Sequence, residues 1–232
     1  MAVRMNEFGQ PVGPPVGMDP PIAVPSSEPM IGRWCTVVPL DAGAHATPLF
    51  DSLDEAADDR SWTYLFQDRS PSADHFAAWL ATLEGGTDPM YFVVADTDGP
   101  CGMAALQRIV PQHGVIEVGS IHLAGRLQRT AAATEAMFML MQRAFDTGYR
   151  RYEWKCDSLN APSRAAARRL GFVYEGEFRQ AIVYKGRNRD TSWFSIVDGE
   201  WPRLRSEFER WLDPSNFDED GRQRTQLGCV AD

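Results

Sequence analysis

The segment from residue 115 to residue 160 constrains the fold more than any other part of the chain. Residues 115–123 are rich in β-branched and apolar side chains, which is typical of a buried strand. Small and polar residues at 125–130 interrupt this pattern. A single apolar stripe with helical spacing follows, made of Met137, Leu140, Met141, Ala144 and Phe145. The order strand, turn and helix therefore predicts one unit of an α/β structure.

The ends of this unit are also marked in the sequence. Gly148 lies where a helix C-terminal cap is expected. Residues 151–156 then alternate charged side chains with Tyr152, Trp154 and Cys156, which is typical of a strand. Asn160 and Pro162 begin a further helix, and Gly171 ends it. The segment thus predicts two strands, each followed by a helix.

The turn between the first strand and its helix is a predicted anion site. Backbone N–H groups at a helix N-terminus are unpaired and lie at the positive end of the helix dipole. The side chains here are mostly small, so a diphosphate can approach the backbone closely. The residues of this turn are Gln128, Arg129, Thr130, Ala131, Ala132, Ala133 and Thr134.

With Gln128, Ala131 and Ala133 at the defining positions, the turn resembles the Gln/Arg-x-x-Gly-x-Gly/Ala pyrophosphate loop of the GNAT superfamily of acyl-CoA-dependent N-acyltransferases. Within that superfamily the chain is most similar to the RimJ/RimL type, the ribosomal-protein N-terminal acetyltransferase-like branch. Residues 133–137, 160–163 and 169–176 carry this similarity, and the resemblance covers residues 30–212. The first loop glycine is Ala131 here. Its methyl group narrows the freedom of the backbone and would weaken contact with the phosphate; alternatively, alanine is compatible with a helix and fits at this position.

The resemblance implies an α/β (α+β) GNAT fold. The expected sheet is mixed, mostly antiparallel and of about seven strands, with helices on both faces and a V-shaped splay between the fourth and fifth strands. In such a fold pantetheine pairs with the backbone of Ile121, His122 and Leu123, and the diphosphate lies on residues 128–134. The implied acyl donor is acetyl-CoA, and no metal is implied.

The rest of the chain supplies further predicted elements and boundaries. Strands are predicted at 33–38, 91–95, 102–106, 172–179 and 191–197. Helices are predicted after Ser72 and at 201–212, with one or two short helices at 45–59. Residues 1–29 form a proline-rich extended arm, or else lie across the domain or a partner subunit, and 213–232 form an acidic, disordered tail. Residues 30–212 are the predicted acetyltransferase domain.

Aminolysis of a thioester needs a deprotonated amine and a polarised carbonyl. It also needs a leaving thiolate that is protonated or stabilised as it departs. The family motif implies that the Ser163 hydroxyl lies near the sulfur and that Asn160 takes part in the site. Alternatively, Asn160 and Ser163 are only a helix cap and its backbone partner. Glu117 is the predicted base, because it is expected on one strand face with Gly119, Ile121 and Leu123, where apolar neighbours would favour its protonation. Alternatively, it is salt-bridged or exposed at a sheet edge.

Other side chains are secondary candidates for the chemistry. Glu135, Glu153 and Asp157 are further candidate bases, and the His122 imidazole is either structural or catalytic. Arg129 is the favoured cation for the cofactor phosphates, ahead of Arg164, Arg168 and Arg169. Aromatic side chains before and within the first clear helix either line an acceptor pocket or belong to the core: Trp62, Tyr64, Phe66 and Trp79.

Charge and cysteine content exclude several classes of protein. A net charge of −9 argues against nonspecific binding to nucleic acid or anionic membranes. The four cysteines are far apart in sequence, which suggests neither a disulfide framework nor a zinc site. No stretch approaches the roughly 20 apolar residues of a membrane span, so a cytoplasmic location is the default expectation.

Two functions follow from these observations. The first is direct acetyl transfer from acetyl-CoA to a primary amine in a ternary complex, the acceptor being a small molecule or a protein N-terminus. The second is a non-catalytic acyl-CoA-binding regulatory module, which Ala131 and the lack of an evident base leave open. Dimerisation is common in this branch, so a homodimer is a further expectation.

Overall fold

The core of the fold is a mixed sheet of eight strands, seen in a computed structural model that describes residues 4–55 and 59–229. A separate small hairpin near the N-terminus pairs β1 (Arg4–Met5) with β2 (Pro11–Val12). The strands of the main sheet are β3 (Met30–Ile31), β4 (Thr36–Pro39), β5 (Met90–Asp96), β6 (Gly99–Val110), β7 (Val115–Leu123), β8 (Arg151–Asp157), β9 (Val173–Tyr184) and β10 (Arg187–Val197). Their spatial order is β3-β4-β5-β6-β7-β8-β10-β9.

The pairing of β7 with β8 differs from every other pairing in the sheet. It is parallel, whereas all the others are antiparallel. It also covers only residues 115–118 and 151–154, after which the two strands part. The predicted mixed sheet with a splay between these two strands is therefore confirmed. The strand that sequence analysis did not predict is β3, whose two residues are too few to show a pattern.

Helices cover both faces of this sheet, as predicted. They are α1 (Ala42–Leu53), α2 (Ala73–Leu83), α3 (Ala131–Asp146), α4 (Ala161–Arg169) and α5 (Trp201–Leu212). On one face α3 packs on β7 and β8, for example through Phe145 and Tyr152, whose ring centroids lie 6.0 Å apart. On the other face Phe76 of α2 packs on Trp62, which contacts His122 of β7. No described helix is both long and apolar enough to cross a membrane.

Local sequence explains where α3 begins and ends. Thr130 is its N-cap, since the Thr130 Oγ1 accepts a hydrogen bond from the Ala133 amide at 3.1 Å. Gly148 has a φ of +102°, a conformation that favours glycine, and it follows the last turn of the helix. The predicted apolar stripe is buried against the sheet, except that Phe145 is half-buried. The helix therefore presents its N-terminus beside the end of β7.

A β-bulge at Ser120 alters the side-chain pattern of β7. Gly119 lies opposite Ala105 and His122 lies opposite Met103, so two residues of β7 face the single Ala104 of β6. Ser120 has a φ of +51°, which is typical of a bulge. The alternation of faces shifts by one residue as a result. The prediction that Glu117 shares a face with Ile121 and Leu123 is therefore wrong, because beyond Gly119 that face is continued by His122.

Both predicted terminal segments make ordered contacts where they are described. After α5, Leu227 and Cys229 are buried, and Gln223 Oε1 accepts a hydrogen bond from Trp211 Nε1 at 2.8 Å. The structure thus differs from the predicted disordered tail, because polar side chains of α5 hold this segment. Ile22 approaches Gly148, so part of the N-terminal arm lies across the domain. Residues 1–3, 230–232 and, within the predicted short helices, 56–58 lie outside the described residues.

Candidate active site

A cleft of about 970 Å³ opens where β7 and β8 part. Its lining runs from Gly125 and Gln128, after β7, to Tyr64 and Phe66, which lie between α1 and α2. Beyond residue 118, β7 is paired with β6 alone, so one edge of its backbone faces the cleft. The predicted pantetheine-binding residues Ile121, His122 and Leu123 all lie on this unpaired stretch. A linear ligand can therefore pair with the strand from inside the gap.

The loop after β7 presents unpaired amides at the N-terminus of α3. Within the described part of the chain, the backbone N–H groups of residues 129–132 have no acceptor. The amide of Ala133 is bound to Thr130 Oγ1, and that of Thr134 to the Thr130 carbonyl. Within the predicted loop, the amides of residues 129–132 therefore remain free. They fit an anionic group such as a diphosphate, because a helix N-terminus is positively polarised there.

Ala131 takes an ordinary helical position in this loop, in agreement with the alternative that alanine fits there. It is the first residue of α3 and follows the N-cap Thr130. The left-handed conformation of the loop is instead taken by Arg129, which has a φ of +62°. Since glycine is needed only where φ is positive, alanine fits at position 131 without backbone strain.

Side chains around the loop fix its shape more than they supply charge. Gln128 Nε2 donates to the Leu123 carbonyl at 2.9 Å, which ties the loop to the end of β7. Arg126 pairs with Asp96 and donates to the Pro100 carbonyl at 3.3 Å. Arg129 is exposed and has no partner among the described side chains, so it is available to a phosphate.

The other three candidate phosphate-binding arginines are committed to contacts within the protein. Arg164 Nη1 donates to the Ser158 carbonyl at 3.1 Å. Arg168 lies over the ring of Phe194 at 5.6 Å, and Arg169 Nη1 donates to Thr134 Oγ1 at 3.1 Å. The predicted preference for Arg129 is therefore consistent with the structure.

Asn160 and Ser163 line the cleft opposite β7. Asn160 Oδ1 caps α4 by accepting a hydrogen bond from the Ser163 amide at 3.1 Å. Ser163 Oγ accepts a hydrogen bond from Trp154 Nε1 at 3.0 Å, so its own proton can be donated either to the neighbouring Cys156 sulfur or to a ligand in the cleft. The cap and the cleft-facing position therefore coexist in the same two residues.

The surroundings of Glu117 are not apolar, and the expectation on which its choice as base rested is wrong. Its carboxylate is buried, accepts from Gln107 Nε2 at 2.8 Å and lies 2.7 Å from Lys155 Nζ. Arg108 Nε is a further cation at 3.2 Å. Lys155 also pairs with Glu153 at 2.7 Å, so these charges form a network. The salt-bridged alternative therefore describes the surroundings of Glu117.

The secondary acidic candidates are also engaged. Glu135 accepts from three backbone amides, those of residues 33–35. Glu153 is paired with Arg151 as well as Lys155. Asp157 lines the cleft, where it accepts from the Leu159 amide at 2.8 Å and from the Tyr184 hydroxyl at 2.7 Å. None of the three is a free carboxylate.

His122 is a buried imidazole without a polar partner. It is 4% exposed, lines the cleft and meets the Trp62 ring edge-on at 4.3 Å between centroids. Neither ring nitrogen has a hydrogen-bond partner among the described residues. Burial lowers the pKa of His122 to about 4, so the ring is neutral near pH 7. It is therefore available to hydrogen-bond a ligand in the cleft.

This burial makes stability depend on pH. We expect the free energy of unfolding of the wild type to fall by about 3 kcal/mol between pH 7 and pH 4, and His122→Phe to lack this component. The unfolded state binds a proton at the usual pKa of 6.5, whereas the folded state binds one only near 4. Acid therefore favours the unfolded state. Urea denaturation of both proteins at several pH values measures the difference, and parallel pH profiles would contradict it.

Sequence reasoning missed several residues of the cleft. Lys155 was considered only as part of an alternating strand, and Arg189 was placed in a link between strands. The structure puts both in the cleft lining. No local signal marks Arg189, because its neighbours Asn188 and Asp190 are typical of a turn. Of the predicted aromatic residues, Tyr64, Phe66 and Trp79 line the cleft, whereas Trp62 is buried behind it.

The comparisons with known proteins agree with this architecture. The family described as Acetyltransferase (GNAT) domain matches residues 36–173, which is more than half of the chain. A GCN5-related N-acetyltransferase from Brucella melitensis is 44% identical, with a TM-score of 0.86, covering 88% of this chain and 94% of that one. A probable GNAT-family acetyltransferase from Chromobacterium violaceum is 40% identical, with a TM-score of 0.74 and coverages of 83% and 99%.

A more distant structure shares the fold alone. The Microcin C7 self immunity acetyltransferase MccE, in complex with acetyl-CoA and AMP, is 18% identical, with a TM-score of 0.64 and coverages of 72% and 93%. No curated protein is significantly similar in sequence. The chain belongs to the GNAT acetyltransferase family.

Proposed function

We propose that the protein transfers an acetyl group from acetyl-CoA directly to a primary amine, with both substrates bound in one ternary complex. The observation that carries this proposal is the continuity of two features. The unpaired amides of residues 129–132 directly follow Gly125 and Gln128, which line the cleft that opens where β7 and β8 part. A phosphate-binding helix end therefore leads into a strand-lined gap, as a long anionic thioester requires.

Named residues have definite tasks in this proposal. Bound acetyl-CoA supplies the activated acyl group. The free loop amides and Arg129 would hold its diphosphate, and the open edge of β7 would hold the pantetheine chain. The Ser163 hydroxyl, oriented by its bond to Trp154, would donate a hydrogen bond to the sulfur. His122 would accept a hydrogen bond from the incoming amine.

Direct transfer is supported by the state of Cys156, which lines the cleft. Burial raises the pKa of the Cys156 thiol, and the hydrogen bond from Ser163 opposes this only in part. A buried, protonated thiol is a poor nucleophile. A covalent acetyl-cysteine route is therefore disfavoured relative to attack by the amine itself.

The identity of the amine acceptor does not follow from membership of the family. On the motif segments 133–137, 160–163 and 169–176 we place the chain in the RimJ/RimL-like branch, whose acceptors include protein N-termini and small amines. Screening an amine and peptide library for thiol release from acetyl-CoA tests the proposal, with calorimetry of acetyl-CoA binding alongside. Tight binding without release for any acceptor would favour the non-catalytic acyl-CoA-binding module, and absence of binding would exclude both functions.

Ser163→Ala provides a residue-level test. We expect kcat to fall by about tenfold or more, because the leaving sulfur loses a hydrogen-bond donor, while the Kd for acetyl-CoA changes little. Steady-state assays of thiol release measure kcat, and calorimetric titration measures the Kd for acetyl-CoA. Ser158→Ala is the matched control, since the Ser158 hydroxyl pairs with Ser192 at 3.1 Å and does not line the cleft. Unchanged turnover in Ser163→Ala would remove Ser163 from the mechanism.

A further inference from the structure

Arg189, near the start of β10, is a buried cation without a counter-ion. Its side chain lines the cleft, and the residue is only 6% exposed. Its Nε is fully buried and unpartnered. Among the described residues, the guanidinium makes neither a hydrogen bond nor an ion pair. Its contacts are instead with aromatic rings, those of Phe66 at 5.2 Å and Tyr184 at 5.8 Å.

Aromatic rings stabilise a cation but leave its N–H donors unsatisfied. A guanidinium has five N–H donors in a planar fork that matches the geometry of a carboxylate or phosphate. Burying such a charge without a partner is strongly unfavourable. Within the described residues, no acceptor satisfies the buried Nε of Arg189, so the guanidinium is suited to bind an anionic group of a ligand in the cleft.

Nearby acidic groups do not supply this anion. The Asp157 carboxylate accepts from the Tyr184 hydroxyl and the Leu159 amide and is not within ion-pair distance of Arg189. Asp190 is bound to the Gln180 amide at 2.6 Å and to Asn188. Glu117 is bound to Lys155. Among the described residues, no carboxylate thus lies within ion-pair distance of the Arg189 guanidinium.

The position of Arg189 separates it from the diphosphate loop. Its ring contact Phe66 belongs to the segment between α1 and α2, and the β9–β10 turn is tied to the same segment by Lys185. Lys185 Nζ donates to the carbonyls of Trp62 and Gln67 at 2.8 and 3.0 Å. No described contact joins Arg189 to residues 125–132. Arg189 therefore belongs to the wall of the cleft that the aromatic residues form.

We propose that the acceptor amine carries an oxyanion, a carboxylate or a phosphate, and that Arg189 binds it. This inference rests on the proposed acetyl transfer, and it adds the class of acceptor. An acceptor with a cationic amine and an anionic group at its other end would place the anion at Arg189 and the amine toward the strands. A simple alkylamine would leave the guanidinium unpaired.

The test compares matched acceptors that differ only in charge. Amino carboxylates, their carboxamides and aminoalkyl phosphates are assayed for kcat/KM with acetyl-CoA. We expect the preferred anion to exceed its neutral counterpart by about 10- to 100-fold, the range for charge-assisted hydrogen bonds. Comparing the amino carboxylates with the aminoalkyl phosphates identifies which oxyanion is bound. Equal rates for charged and neutral acceptors would overturn the inference while leaving the acetyltransferase proposal intact.

Two variants assign the preference to Arg189. Arg189→Met, which keeps the length of the side chain, should abolish the preference without changing the KM for acetyl-CoA. Arg189→Lys, which keeps the charge, should retain part of the preference and serves if the Met variant does not fold. Arg179→Met removes an exposed charge from the same hairpin and should have no effect. A change confined to acetyl-CoA binding would contradict the inference.

A binding measurement keeps the inference testable if no acceptor is acetylated. Calorimetric titration of the wild type with CoA present should then show binding of the amino carboxylate or aminoalkyl phosphate and weaker binding of the carboxamide. Loss of that binding in Arg189→Met would support the anion site although the proposed reaction had failed. Binding of neither anion would overturn the inference as well.

Discussion

Replacing Ala131 with Glu should raise the Kd for acetyl-CoA by about 100-fold or more. The new carboxylate would lie at the first position of α3, beside the free amides of residues 129–132. There it would accept hydrogen bonds from those amides and repel the diphosphate. Like charges about 5 Å apart near a protein surface repel by about 3 kcal/mol, which corresponds to more than 100-fold in Kd. Isothermal calorimetry with acetyl-CoA measures the change.

Ala131→Gln is the matched control, since glutamine has the size of glutamate without its charge. We expect it to weaken binding far less. The fold should tolerate both variants, because acidic and polar residues in the first turn of a helix are not destabilising. Equal losses of acetyl-CoA affinity in the two variants would mean that the larger side chain blocks the site sterically and that its charge has no effect. The amides at the start of α3 would then not be the electrostatic cradle that we propose.

The sequence predicted best what depends on local patterns. The strand at residues 115–123 and the helix at 201–212 have the predicted bounds, because periodic apolar residues and clear breakers define them. Thr97 and Asp98 form the two-residue turn between β5 and β6, directly before Gly99. The position of the loop before α3 was predictable because a short continuous segment marks it.

Features that depend on tertiary contact were not predictable in the same way. The Ser120 bulge reverses the face of His122, and a single residue with positive φ leaves no clear signature in the sequence. The ion pairs of Glu117 come from Lys155 on a neighbouring strand and from Arg108 on another. Which partners a buried carboxylate acquires depends on the register between strands, so its environment could not be inferred from its own strand alone.

Glu135 provides the second large effect, this time on stability. Replacing it with Ala should lower the free energy of unfolding by about 3–5 kcal/mol. The residue is 7% exposed, and its Oε1 accepts from the Arg33 amide at 2.8 Å. Its Oε2 accepts from the amides of Trp34 and Cys35 at 2.6 and 3.0 Å. Alanine would leave three backbone donors without an acceptor, and chemical denaturation measures the cost.

Glu209→Ala is the control, because Glu209 is an exposed glutamate on α5 whose pair with Arg205 at 2.9 Å is worth about 1 kcal/mol or less. If Glu135→Ala lost no more stability than this control, the three hydrogen bonds to residues 33–35 would not stabilise the fold.

The expected loss of stability in Glu135→Ala has a functional consequence as well. Glu135 lies in the second turn of α3, so the carboxylate that anchors residues 33–35 also ties down the helix whose N-terminus we propose as the diphosphate site. Saturating acetyl-CoA should therefore recover part of the lost stability, because a ligand bound only by the folded state stabilises it.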